Sequence, residues 1–127
     1  MDDERGYVTQ AVKRANNDQC RVHVLLDDDR WYGFAAISVS EFNHKPSIVL
    51  DYLFSSHGQR GVQSQDLGDL TVGEYLLQYS LGQARAISDL IPISYFTLEP
   101  ANDQLRQYYL DKDFELVEST GWMFISI

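Results

Sequence analysis

Residues 95–127 read YFTLEPANDQLRQYYLDKDFELVESTGWMFISI, and this stretch decides the fold. Its first part completes a β-rich run over residues 91–98, and residues 102–112 repeat apolar side chains with a helical period. Two further β-rich runs follow at 114–118 and 122–127. The pattern predicts a strand, a helix that lies on a sheet, and a closing hairpin.

The preceding residues predict a sheet that begins with a hairpin and continues through a crossover helix. An Asp cluster joins two β-rich runs, and the nearly continuous apolar run IVLDYLFSS is typical of a strand buried on both faces. The predicted class is α+β, with a mixed, mostly antiparallel sheet flanked by helices in a single domain over residues 1–127. The earlier predicted elements are a helix at 7–17, strands at 20–26, 31–40 and 48–56, loops at 41–47 and 57–69, and a helix at 70–89.

Charge and composition restrict the classes of partner. The chain has 127 residues, and 10 Lys plus Arg against 19 Asp plus Glu give a formal net charge of −9. A field of this sign repels phosphate backbones and anionic membranes, so we expect neither nucleic acid nor a membrane as a partner. The acidic N-terminus is unlike a signal peptide, which favours a cytoplasmic protein. No metal is expected, because the histidines lack zinc-type spacing.

The helix at 102–112 carries a motif. Five positions match the spacing N-x-x-[AL]-x-x-[FLY]-Y-x-x-x-G-F, namely Asn102, Leu105, Tyr108, Tyr109 and Phe114. The same spacing serves to pack a helix on a sheet. It also resembles the final strand–helix–strand of the GCN5-related N-acetyltransferase (GNAT) superfamily, and the order of elements is similar to that of the family over residues 20–127. The family's first strand and first helix have no room before Tyr7, so the N-terminus is short or rearranged.

The resemblance implies that Tyr109 acts as a general acid toward the departing coenzyme A thiolate, since an ordered hydroxyl within reach can protonate the sulfur. Packing in the core is the alternative for the same residue. The family's glycine before Phe114 is Asp113 here. We expect a left-handed backbone at this position, which Asp tolerates better than most residues.

The resemblance also implies a site for the coenzyme A pyrophosphate at the start of the long helix. The family loop has the form [QR]-x-x-G-x-[GA], and residues 68–73 keep only its last glycine. Backbone N–H groups at that helix start would hold the phosphates. A QRG fragment in the preceding loop is a second candidate contact, or a plain basic surface loop. The implied cofactor-binding residues are Thr71, Val72, Gly73, Arg60, Gly61 and Asn102.

The same helix start has a purely structural interpretation. Thr71 and Glu74 form a capping-box pattern, in which the Thr hydroxyl accepts the N–H of residue 74 and Glu74 returns a bond. Asp66 and Asp69 add negative charge nearby, which favours a helix start and disfavours a diphosphate. A capped helix without a ligand is therefore the alternative.

Asp51 is an acid inside an otherwise apolar strand, where an unpaired carboxylate would be costly. The resemblance implies that it removes a proton from the acceptor amine. Pairing with an Arg or a hydroxyl at the sheet edge is the alternative.

The functional hypothesis is acetyl transfer from acetyl-CoA to a primary amine. The net charge favours a cationic acceptor, either a small amine or a protein lysine, and a homodimer is allowed. Catalysis would require the strands at 48–56 and 91–98 to separate near their C-terminal ends. The alternative is an inactive GNAT-like protein with an interaction or assembly role, such as a phage virion-associated protein.

Overall fold

The computed structural model describes residues 2–27, 30–56, 67 and 70–127, and it confirms the predicted α+β class. The elements follow the predicted order of helices and strands. They are α1 (Asp2–Asn16), β1 (Arg21–Asp27), β2 (Arg30–Phe42), β3 (Lys45–Ser55), α2 (Val72–Ser88), β4 (Tyr95–Leu98), α3 (Asp103–Asp111), β5 (Glu115–Leu116) and β6 (Met123–Ser126).

The strands form a six-stranded mixed sheet in the order β1-β2-β3-β4-β6-β5. Every neighbouring pair is antiparallel except β3 and β4, which are parallel. Parallel neighbours need a crossover, and α2 provides it. The mixed, mostly antiparallel sheet of the sequence prediction is confirmed.

Helices lie on both faces of the sheet, and alternate residues of β2 divide between them. Ala35 and Ile37 belong to the larger core cluster, which includes buried residues of α2 and α3. Phe34 and Ala36 belong to a smaller cluster with Ala11 of α1. Because side chains alternate along a strand, α1 lies on one face while α2 and α3 lie on the other. None of the described helices is both long and apolar enough to span a lipid bilayer.

Several predicted boundaries differ from the structure, and the first helix begins at Asp2 instead of Tyr7. The predicted loop at 41–47 is a tight hairpin turn, in which Asn43 and His44 have positive φ angles of 52° and 61°. Two such residues give a turn whose twist matches that of the flanking strands, so both strands extend further than predicted. The predicted strand at 91–98 pairs with its neighbours only over Tyr95–Leu98.

Gly33 of β2 sets the start of α2 against the end of β3. A Cβ at this position would collide with the carbonyl oxygen of Phe54 and would lie 3.0 Å from Cγ1 of Val72. Only glycine permits this close approach without a shift of the backbone. The approach places the first residues of α2 beside the C-terminal half of β3.

Candidate active site

The sheet opens between β3 and β4. Their parallel pairing covers three residue pairs, from Ser47–Tyr95 to Val49–Thr97. β3 then continues to Ser55 in partnership with β2 alone, so among the described residues no strand pairs with its other edge after Val49. The pairing stops where the sequence hypothesis requires the two strands to separate, close to the end of β4 at Leu98. We call the edge of β3 after Val49 its open edge.

A β-bulge at Asp51 marks the start of this open edge. Tyr52 pairs with Ala36 and Leu50 pairs with Ile37, so Asp51 has no partner on β2. A bulge bends its strand and increases the local twist, which turns β3 away from β4. It also places Asp51 and Tyr52 on the same face of the sheet, toward α1.

On the opposite face, a groove of about 300 Å³ runs from the open edge to α2 and α3. Three residues of the predicted site, Thr71, Gly73 and Tyr109, line it together. The structure thus brings the predicted acid and part of the predicted cofactor-binding set to one place. The remaining lining residues are Leu53, Ser55, Glu74, Leu105 and Tyr108.

Tyr109 lies at the inner end of the groove and is 5% exposed. Its ring packs edge-on against Phe114, with 5.5 Å between centroids, so it is also part of the core. Burial raises the pKa of Tyr109 to about 12, and the nearby Tyr108 and Tyr7 add to the shift. The hydroxyl is therefore protonated at neutral pH, as a proton donor must be.

The local backbone fixes the place of Tyr109. Asp113 ends the segment with φ of 72°, and the N–H of Phe114 donates to the Tyr109 carbonyl over 3.1 Å. The expected left-handed conformation at Asp113 is confirmed. This turn reverses the chain after α3 and brings Phe114 under the ring of Tyr109.

The start of α2 is capped as the sequence predicts. The hydroxyl of Thr71 accepts the N–H of Glu74 over 3.1 Å, and it donates to the Glu74 carboxylate, also over 3.1 Å. The first N–H groups of a helix have no acceptor within the helix. The N–H groups of Val72 and Gly73 are therefore not bonded within α2. The Val72 side chain is 2% exposed and packs in the core, which restricts this residue to backbone contacts.

Asn102, another predicted cofactor contact, does not line the groove. Asn102 caps α3, and its side-chain oxygen accepts the N–H of Leu105 over 2.8 Å. Arg60 and Gly61 lie outside the described residues, as do Asp66 and Asp69.

Asp51 lies against α1, on the face opposite Tyr109. Its Oδ1 pairs with the guanidinium of Arg14 over 3.1 Å, and the Asp51 side chain is 10% exposed. Pairing with an arginine was one of the two sequence interpretations. The second oxygen, Oδ2, is buried and has no hydrogen-bond partner among the described residues.

Two site residues, Tyr7 and Arg14, were absent from the sequence prediction. The Tyr7 hydroxyl accepts the N–H of Leu53 over 2.7 Å and donates to the Leu53 carbonyl over 3.3 Å. Arg14 lies 5.5 Å above the ring of Tyr52, and the pKa of Arg14 is raised, first by a hydrogen bond with Tyr52 and then by Asp51. Their spacing of seven residues places both on one face of α1, and this is the signal that the sequence carried.

A second, larger groove of about 580 Å³ lies on the α1 face, over β4 and β6. Phe42, Tyr95 and Phe124 meet there with centroid separations of 5.3–5.5 Å, and Trp122 joins the lining. Val49 also lines it, two residues before the bulge. This aromatic groove therefore lies beside the paired part of β3, on the face of the sheet opposite the groove that contains Tyr109.

No family model and no curated protein matches the sequence. Solved structures do match. The KacTA–DNA complex aligns with a TM-score of 0.81 at 21% identity, over 99% of this chain and 80% of that chain. AtaTR bound with AcCoA aligns with a TM-score of 0.74 at 19% identity, over 91% and 72% of the two chains. AtaT and KacT are GNAT acetyltransferases. The chain has the GNAT fold.

A third neighbour of this fold corrects the partner prediction. AtaT complexed with acetyl-methionyl-tRNAfMet aligns with a TM-score of 0.71 at 16% identity, over 94% of this chain and 78% of that chain. GNAT-fold proteins are thus solved with both DNA and tRNA. The prediction that named a cationic small amine or a protein substrate and excluded nucleic acid is wrong. It relied on the net charge, which averages over the chain, whereas binding depends on the charge of a local surface.

Proposed function

We propose that the protein is an acetyl-CoA-dependent N-acetyltransferase whose acceptor is the amino group of an aminoacyl-tRNA. The observation that carries the proposal is the open edge of β3, with Tyr109 in the groove on one face and the unpartnered Asp51 oxygen on the other. GNAT-fold neighbours solved with acetyl-CoA and with acetyl-methionyl-tRNA support both substrates.

The groove on the α2 and α3 face fits the acyl-pantetheine end of acetyl-CoA. The arm carries amides, and the open edge of β3 carries the backbone groups that pair with amides. A Cβ at Gly73 would lie 3.6 Å from the Ser55 hydroxyl oxygen, which is an ordinary van der Waals contact, and both residues line the groove. The N–H groups of Val72 and Gly73 would face the phosphates.

Each proposed catalytic residue has a single task. Acetyl-CoA would supply an acetyl thioester. The acceptor nitrogen forms the new C–N bond as the C–S bond breaks. Asp51 takes the proton that the amine releases, on Oδ2, while Tyr109 gives its hydroxyl proton to the departing sulfur. Arg14 keeps the Asp51 carboxylate in place through Oδ1.

The aromatic groove on the α1 face would hold the end of the acceptor. Aromatic side chains stack on nucleobases regardless of sequence. Lys45 pairs with Phe42 across the β2–β3 hairpin, beside the groove, while Glu41 lines the groove itself. The aromatic side chains are therefore the feature of this groove that would bind a nucleobase.

Binding without catalysis is the second candidate. Glu74 supports it, because its carboxylate lies at the start of α2 and would repel a phosphate there. Under this alternative, the grooves would hold a partner and Tyr109 would serve packing alone.

Acetyl transfer from labelled acetyl-CoA to aminoacylated tRNA tests the proposal, with deacylated tRNA as the control substrate. We expect label in the aminoacyl fraction only. Tyr109→Phe should lower kcat about 100-fold with little change in acetyl-CoA affinity, because it removes only the proton donor. Tyr108→Phe, which removes a hydroxyl from the same groove, is the matched control and should retain activity.

The outcomes separate the two candidates. If calorimetry detects no binding of acetyl-CoA at millimolar concentration, the enzyme proposal is overturned and the binding protein is favoured. Labelled product with full activity of Tyr109→Phe would instead exclude Tyr109 as the acid.

A further inference from the structure

Tyr7 closes the open edge of β3 at one residue. Its hydroxyl engages both backbone groups of Leu53, the N–H over 2.7 Å and the carbonyl over 3.3 Å. In the N-terminal half of β3, the neighbouring strand β4 lies along this edge. After Val49 that strand no longer pairs, and a side chain from α1 takes over at Leu53.

The Tyr7 ring is held firmly enough to keep its hydroxyl there. It packs edge-on against Tyr52 with 4.9 Å between centroids, and it lies 6.4 Å and 6.2 Å from the ring centroids of Phe34 and Phe54. Burial raises the pKa of Tyr7 to about 12, so the hydroxyl keeps the proton that it donates. The contact with Leu53 is therefore a built feature of the α1–sheet interface.

The Tyr7 hydroxyl also contacts β3 two residues after Asp51, one of the two proposed catalytic residues. Asp51 contributes to the raised pKa of Tyr7, and Tyr7 contributes to that of Tyr109. Leu53 itself lines the groove that contains Tyr109. A ligand amide that pairs with the Leu53 backbone at the edge of this groove would need the two groups that the Tyr7 hydroxyl occupies.

We propose that Tyr7 is a gate: its hydroxyl occupies the backbone groups of Leu53 in the free protein, and acetyl-CoA must displace it to bind along β3. This inference rests on the proposed function. A backbone N–H and C=O pair cannot be shared fully between the hydroxyl and a ligand amide, so the two compete. The contact between Tyr7 and Leu53 thus lowers the affinity for acetyl-CoA until α1 moves and releases the Leu53 backbone.

Tyr7→Phe tests the gate, because it removes the hydroxyl and keeps the ring. A hydrogen bond contributes about 0.5–1.5 kcal/mol net, so we expect acetyl-CoA to bind about 2- to 12-fold more tightly to this variant in calorimetric titration. The matched control is Tyr79→Phe. Its hydroxyl bonds His23 Nδ1 over 2.9 Å, between α2 and β1, and its loss should leave the affinity unchanged.

Hydrogen exchange at the Leu53 amide provides a second readout that needs no ligand. The amide should exchange faster in Tyr7→Phe than in the wild type, and acetyl-CoA should slow it again in the variant. Tyr79→Phe should leave the exchange at Leu53 as it is in the wild type.

The results separate failure of the gate from failure of the proposed function. If neither wild type nor Tyr7→Phe binds acetyl-CoA, the proposed function is overturned and the gate with it. If the wild type binds and Tyr7→Phe binds equally or more weakly, the gate alone is overturned. An unchanged Leu53 exchange rate in Tyr7→Phe would also overturn it.

Discussion

The two halves of β3 differ in what lies along their edges. In the closed half, residues 45–49, Ser47, Ile48 and Val49 are buried and pair with strands on both sides. In the open half, residues 50–55, only β2 pairs with the strand, and most side chains after Leu50 are partly exposed.

The difference shows how one strand can be paired along both edges in one half and along a single edge in the other. The closed half anchors the sheet, because its central side chains are buried and its backbone N–H and C=O groups pair with strands on both edges. The bulge at Asp51 ends this arrangement, and beyond it the Tyr7 side chain of α1 contacts the backbone of Leu53. Four predictions test this division.

The largest expected effect contrasts a core residue of the closed half with one of the open half. Ile48 is 1% exposed, so Ile48→Ala should lower the free energy of unfolding by about 3 kcal/mol. Leu53→Ala, in the open half, should cost about 1 kcal/mol. Urea denaturation measures both, and equal losses would contradict the division.

Alkaline pH should weaken the contacts of the open half. Burial raises the pKa of Tyr7 and of Tyr109 to about 12, against 10.0 for an unperturbed tyrosine. Between pH 10 and pH 12 the folded protein keeps the two tyrosine protons that the unfolded chain loses. The contribution of these groups to the free energy of unfolding is therefore complete below pH 10 and falls toward pH 12, by about 2 kcal/mol for each of the two tyrosines. Denaturation across this window should show a smaller fall in Tyr7→Phe and in Tyr109→Phe. The same fall in all three proteins would refute the assignment.

At Asp51, the boundary between the two halves of β3, Arg14→Met should leave the carboxylate without its cation and keep an apolar side chain of similar length at position 14. Arg14 is 31% exposed, so solvent reduces the loss to about 1–2 kcal/mol. Arg14→Lys retains the charge and should restore part of the stability. The double variant Arg14→Met with Asp51→Asn should be more stable than Arg14→Met alone. If the double variant is no more stable, the result would contradict a specific pair between Arg14 and Asp51.

The smallest effect concerns the helix caps. Thr71→Ala should cost about 1 kcal/mol, and Thr71→Ser should cost almost nothing, because the Ser hydroxyl can take the same N–H. Asn102→Ala removes the cap of α3, which lies away from the open half, and serves as the comparison. It should lower the free energy of unfolding by a similar amount. Thermal unfolding checks the series, and a neutral Thr71→Ala would show that the cap contributes little.

Local features were the ones that the sequence predicted well. The order of elements, the cap at Thr71 and the left-handed Asp113 each depend on residues a few positions apart, where propensity and turn chemistry act. The resemblance carried by the α3 motif also selected Tyr109, Thr71 and Gly73, which the structure places in one groove.

Long-range features escaped the prediction. The Tyr7–Leu53 contact joins residues 46 positions apart, and the Arg14–Asp51 pair joins residues 37 positions apart. No periodicity in α1 indicates which residue of β3 its side chains meet. The prediction that excluded nucleic acid is wrong, because it used the net charge of the whole chain in place of the charge of a local surface.

The sequence by itself determined which segments become helices and strands, that Thr71 caps α2, and that an acid interrupts the apolar run of β3. Only the tertiary structure decided the bulge, the short pairing with β4, and the residues of α1 that meet the open edge. The physical reason is range. Helix and strand patterns arise from neighbours along the chain, whereas strand register and the docking of α1 depend on contacts between distant segments that form only when the sheet is assembled.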